Sequence, residues 1–190
     1  MAEAQSGDGA TQFRGPPPSP PPPVVPVASV EEARASADEA TDALEATMVR
    51  AASFSDEELH RSVNHEWCTV DSFRHVVLIV DLWLSKAVLG EEDPFHPMAL
   101  PPTFMPPKLP GTSIDPESQP SFDEACEVLR GRLATVRTSV DQLTLADLER
   151  PIAAHAKTVG GALCVLFGEM KAHNRFINRD LDIIEGSRSS

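Results

Sequence analysis

Glu169 and His173 stand four residues apart in a segment where Leu163, Leu166, Met170, Ile177, Leu181 and Ile184 recur at helical spacing. Residues at i and i+4 share one face of a helix, one turn apart. A carboxylate and an imidazole so placed are able to grip one metal ion, and a third ligand must then come from another helix. His75, within Phe73-Arg74-His75-Val76-Val77 early in the most apolar helical stretch, is the natural candidate. His75, Glu169 and His173 together would be three protein ligands, a number that leaves a transition metal an open position for water or substrate. The set suits zinc first, and also nickel or non-haem Fe(II). A bland alternative stands beside it. A helical Glu-x-x-x-His pair arises often by chance, and a histidine in an apolar helix is commonly a core residue with a hydrogen-bond partner. Spacing alone leaves both readings open.

Other chemistry-bearing residues carry weaker patterns. His96, between Phe95 and Pro97, either overhangs the site or is solvated. Arg179 and Asp180 follow His173 on the same helix and either orient ligands and an anionic substrate or form a salt-bridged helix end. Cys126 and Cys164 fall in apolar stripes and read as buried, inert thiols. Three cysteines without a Cys-x-x-Cys spacing exclude a disulfide framework and a thiolate zinc finger. No Gly-x-Ser-x-Gly elbow, P-loop or Gly-x-Gly-x-x-Gly occurs.

The elements that must position these residues all read as helix. Residues 30–52 place Ala33, Ala37, Ala40, Leu44 and Met48 on one face. Ser55 with Glu58 has capping-box spacing and opens a short turn of helix. A second long helix is expected over 69–89, stopped by Gly90 and apolar on several faces, with Thr69 as its cap in place of Cys68. Ser121 with Glu124 caps a third, whose stripe is Phe122, Ala125, Leu129, Leu133, Val136 and Val140. The fourth spans 158–184. Helix one is followed by Ser55-Asp56-Glu57-Glu58 and helix three by Thr144-Leu145-Ala146-Asp147, so two helix pairs share one build. The expectation is an all-α four-helix bundle.

Proline divides the chain. Of 18 prolines, eight lie between Pro16 and Pro26 and nine between Pro94 and Pro120, so neither region is helical core. Residues 1–28 are expected to be a disordered tail of polyproline character, and 29–190 the bundle. Residues 91–120 are then the long crossover between helices two and three.

The balance of 16 basic against 29 acidic residues argues against nucleic acid or an anionic membrane as partner. No run approaches the roughly 18 apolar residues of a spanning helix. The first residues lack the basic start and apolar core of a signal peptide, so a cytoplasmic protein is expected.

The segment EWCTVDSFRHVVLIVDLWLSKAVLG, 66–90, resembles helix two of the DinB-like superfamily, with Trp67 ahead of a short cap and His75 eight residues on. DPFHP (93–97) and EMKAHNRFINRDL (169–181) resemble an actinobacterial-looking branch of it. The resemblance covers 51–185 and implies a four-helix bundle with a long crossover and a divalent metal held by three side chains. The mycothiol-dependent maleylpyruvate isomerases of that superfamily use a His, Glu, His set, which maps onto His75, Glu169 and His173. It implies an enzyme in which a metal-held low-molecular-weight thiol attacks a small-molecule electrophile, by transfer or isomerisation, or in which the metal activates water. The expected partners are that electrophile or thiol, with a homodimer allowed. The alternative is a non-catalytic binding module with a structural or vestigial metal.

Overall fold

The computed structural model describes residues 26–153 and 156–188. Apart from residues 26–28, the expected tail lies outside them. Among the described residues there is no strand, only an isolated bridge between Pro151 and Thr158.

Local chemistry starts each helix. In α1 (Val30–Ala51) the Ser29 side chain accepts the Glu32 N–H. In α2 (Asp56–Leu59), α4 (Phe122–Asp141) and α5 (Leu145–Glu149), capping boxes form at Ser55/Glu58, Ser121/Glu124 and Thr144/Asp147. The cap of α3 (Thr69–Val80) differs from expectation. Cys68 occupies the position, and its sulfur accepts the Asp71 N–H at 3.4 Å. Thr69 is the first helical residue instead, and its buried hydroxyl has no partner. The last helix, α6, runs Val159–Arg188, four residues past the expected end.

The second long helix is not one uniform α-helix. After Val80 it continues as a π-helix, Asp81–Val88, whose end is marked by the Leu89 N–H donating to the Leu84 carbonyl five residues back. The change begins at Asp81, which is wholly buried and paired with Arg132 of α4 at 2.5 Å. Gly90, at φ +77°, ends the run in the left-handed region that a side chain disfavours.

Four long helices pack pairwise in a ring: α1 on α6, α6 on α3, α3 on α4 and α4 on α1. Polar ties give their directions. Val27 reaches Gly160 and Arg50 reaches Asp182, so α1 and α6 run parallel. Glu66 meets Arg179 while Arg150 meets the Val88 carbonyl, so α3 opposes α6. Phe122 stacks near Phe73 and Arg132 meets Asp81, so α3 and α4 run parallel. A parallel pair requires the connecting chain to return the length of a helix, and 89–121 does so. Prolines do not keep it out of the core, since Phe95, Met98, Ala99 and Ile114 are buried. Val27 is buried and its N–H donates to the Gly160 carbonyl, where a Cβ on Gly160 would come within 2.9 Å of the Val27 oxygen.

Candidate functional site

His75 lies on the second turn of α3, and Glu169 and His173 at mid-length of α6. Because α3 and α6 oppose each other in contact, the three come together. The His75 and His173 rings are 4.6 Å apart between centroids, and His173 Nε2 is 3.6 Å from a Glu169 oxygen. Burial differs across the group: His75 is 7% exposed, His173 is half-buried, and Glu169 is exposed. Among the described residues, no group of three or more His, Cys, Asp or Glu side chains stands as a ready holder for an ion.

A backbone carbonyl of the 89–121 segment sets the state of His75. Its Nδ1 lies 2.8 Å from the Leu100 carbonyl oxygen. A carbonyl only accepts, so Nδ1 carries the proton and donates it, and in the neutral ring Nε2 bears the lone pair. The same strand of crossover is tied down next to it. Arg74 donates from Nε to the Met98 carbonyl at 2.9 Å and from Nη1 to Asp71 at 2.9 Å, and the Leu100 N–H donates to the Arg74 carbonyl. Burial pushes the His75 imidazole down to about 4, with the neighbouring His173 adding to the effect. The adjacent His173 side chain holds the Glu169 carboxyl below the usual range. At neutral pH the group therefore presents a neutral His75 imidazole and an ionised Glu169.

Aromatic rings bound the site. Trp67 lies 4.6 Å from His75 and 6.2 Å from His173, centroid to centroid. Phe176, 46% exposed, meets His173 edge-on at 5.8 Å, and the Arg179 guanidinium lies 5.5 Å from its ring centre. Arg179 also pairs with Glu66 and with Asp180, whose side chain is buried. Sequence reasoning did not find the Leu100 carbonyl, since a backbone acceptor leaves no signal in residue types. Trp67 was legible as a large ring just ahead of the start of α3, eight residues before His75.

The remaining candidates sit elsewhere. His96 bonds within a different cluster. Its N–H donates to Asp81, and its Nδ1 accepts the Met98 N–H. Cys126 is buried, and burial pushes its thiol up to about 11, in keeping with an inert group, whereas Cys164 is only half-buried.

A family model of the DinB superfamily matches residues 39–177. No curated protein and no solved structure matches the chain.

Proposed function

The chain belongs to the DinB superfamily, and we propose that it is a divalent-metal-dependent enzyme on a four-helix bundle whose proline-rich crossover shapes the metal centre. His75, Glu169 and His173 are the proposed ligands, zinc the first choice of ion and nickel or Fe(II) the alternatives. The reaction class is joining the sulfur of a low-molecular-weight thiol, of the mycothiol kind, to an electrophilic carbon of a small molecule. The S–H bond breaks as the S–C bond forms, the proton passing to solvent. The displaced electron pair leaves with a departing group or, on addition to a conjugated acceptor, is taken up by that acceptor and protonated.

The donor chemistry fits such an ion. Ligation needs neutral imidazoles and an ionised carboxylate, the protonation states that the local environment already favours at His75 and Glu169. The observation that carries the reading is the hydrogen bond from His75 Nδ1 to Leu100. Ligating histidines characteristically give their second N–H to a backbone carbonyl or carboxylate, which fixes the tautomer and ring orientation. When bound, a divalent cation supplies Lewis acidity, which makes a thiol acidic enough to react as its anion near neutral pH. The chain's own residues do the rest. Leu100 orients His75, Trp67 covers both imidazoles on one side and keeps water from it, and the exposed Phe176 offers an apolar edge beside His173 to the carbon skeleton of a substrate.

Melting with and without metal tests this. A ligand that binds only the native state at about a hundred times its dissociation constant stabilises by about 2.7 kcal/mol. For a chain of this size that is a rise in Tm of about 5–10 °C. Zn²⁺, Ni²⁺ or Fe²⁺ is expected to produce it, with one ion bound per chain and thiol consumption that depends on the ion. No shift with any of them, and no bound metal, would leave the non-catalytic binding module as the better reading.

A further inference from the structure

The turn that carries Trp67 has an unusual conformation and an ion pair to α6 beside the indole. Asn64 and His65 both have left-handed φ, 54° and 62°. Such values are uncommon outside glycine and cost energy that the surroundings must offset. Within the turn, Ser62 Oγ donates to the Glu66 carbonyl at 2.6 Å and the Glu66 N–H donates to Val63. Those contacts close the turn on itself, and buried Val63 seats its start in the core. Next to Trp67, the Glu66 carboxylate pairs with Arg179 of α6. Arg179 is in turn held from behind, donating from Nε to Asp180 at 2.8 Å, and Asp180 is 3% exposed. A guanidinium clamped by two carboxylates, one of them buried, has few rotamers left, so it works as a rigid post.

We propose that Arg179 is a positioning residue: through Glu66 it pins the 62–67 turn to α6, so that the Trp67 indole stays over His75 and His173. Position along α6 supports this. Arg179 lies on the helix that bears His173, and its guanidinium packs over Phe176, one turn beyond that histidine. The post and the covered imidazole therefore move as one body, and Trp67 is registered against the site by α6 itself. Val63 is buried at the start of the turn, but Asn64, His65 and Glu66, the residues leading into Trp67, are exposed, and there the Glu66–Arg179 pair is the tie to α6. This inference rests on the proposed metal site only for its consequence, not for its geometry.

The test uses the full chain labelled with 5-fluorotryptophan, which has two ¹⁹F resonances, from Trp67 and Trp83, assigned with Trp67→Phe. Arg179→Ala and Glu66→Gln are each expected to move the Trp67 line toward the solvent-exposed position and leave the Trp83 line in place. Arg179→Lys, which keeps the charge but not the planar fork, is expected to return the line part of the way. Zn²⁺ affinity should fall about tenfold in Arg179→Ala, the low end of what outer partners of a metal site contribute. A Trp67 line that stays put in both Arg179→Ala and Glu66→Gln overturns the proposal, as does movement of both lines together, which would mean general loosening. Wild-type protein that binds no Zn²⁺ overturns the metal reading instead, and the position of the Trp67 line still decides the role of Arg179.

Discussion

At the scale of single residues, the site depends on two kinds of neighbour. Glu169 and His173 are brought together by the helix itself, one turn apart and 3.6 Å between side chains. His75 joins them only because α3 lies against α6, and its tautomer is set from the crossover by Leu100. If the three act as one centre, His75→Ala, Glu169→Ala and His173→Ala should each lower zinc affinity by more than about a hundredfold, beyond what outer partners contribute. The effects should be far from additive, since losing any one ligand already dismantles the centre. His60→Ala and His96→Ala are the controls and should leave affinity unchanged, because His60 lies against the Asp56 and Pro120 carbonyls, away from the site, and His96 belongs to the Asp81 cluster. Isothermal titration of zinc into each variant reads all five. Equal losses across ligands and controls would refute the assignment.

At the scale of elements, the crossover is held by buried polar groups as well as by apolar side chains. Asp81, wholly buried at the α-to-π junction, receives Arg132 on one oxygen and the His96 N–H on the other. Arg132 also donates to the Pro94 carbonyl at 3.2 Å. Two helices and the crossover thus meet at one carboxylate. Burial pushes its pKa up while the His96 N–H and Arg132 oppose that. Arg132→Met removes the cation and leaves the carboxylate buried, which should cost about 3 kcal/mol. Adding Asp81→Asn to it keeps an acceptor for His96 and removes the stranded charge, so the double variant should recover most of that loss. Chemical denaturation of the wild type and the two variants measures both changes. A double variant as unstable as the single would show that packing, not charge, holds the junction.

At the scale of the whole molecule, the far end of α6 is tied back to α2. Arg188, the last described residue of α6, pairs with Glu58 of α2 at 2.5 Å and lies 4.3 Å from the Phe54 ring centre. Glu58 also accepts the Ser55 N–H. The Arg188 guanidinium and the Ser55 cap hold the Glu58 carboxyl down to about 2, against 4.5 unperturbed. A carboxyl whose folded pKa is depressed binds fewer protons than the unfolded chain between the two values. Its contribution is therefore fully present above about pH 4.5 and is lost as pH falls toward 2. Glu58→Gln should melt below wild type at pH 7, and the gap in Tm should close over that acid window. A gap of constant size from pH 7 to pH 2 would mean the charge of Glu58 is not what ties α2 to α6. No helix among the described residues is long and apolar enough to cross a membrane.

Features set by neighbours in the chain were legible in the residues alone. The period of Ala33, Ala37, Ala40, Leu44 and Met48 placed α1 and its buried face, and capping spacings placed the starts of α2, α4 and α5. Gly90 marked the end of the second long helix. Where a local rule competed with packing, it failed. Cys68 caps α3 in spite of its weak acceptor, and the helix changes to π at Asp81, although nothing in its apolar pattern announces either. Only the tertiary structure decided that α3 and α4 run parallel, that Val27 is core, that Leu100 faces His75, and that Arg179 reaches Glu66. The reason is one of range. Helical periodicity and caps act within four residues, whereas a backbone carbonyl 25 positions away, or an arginine 113 away, is delivered by how whole helices stack.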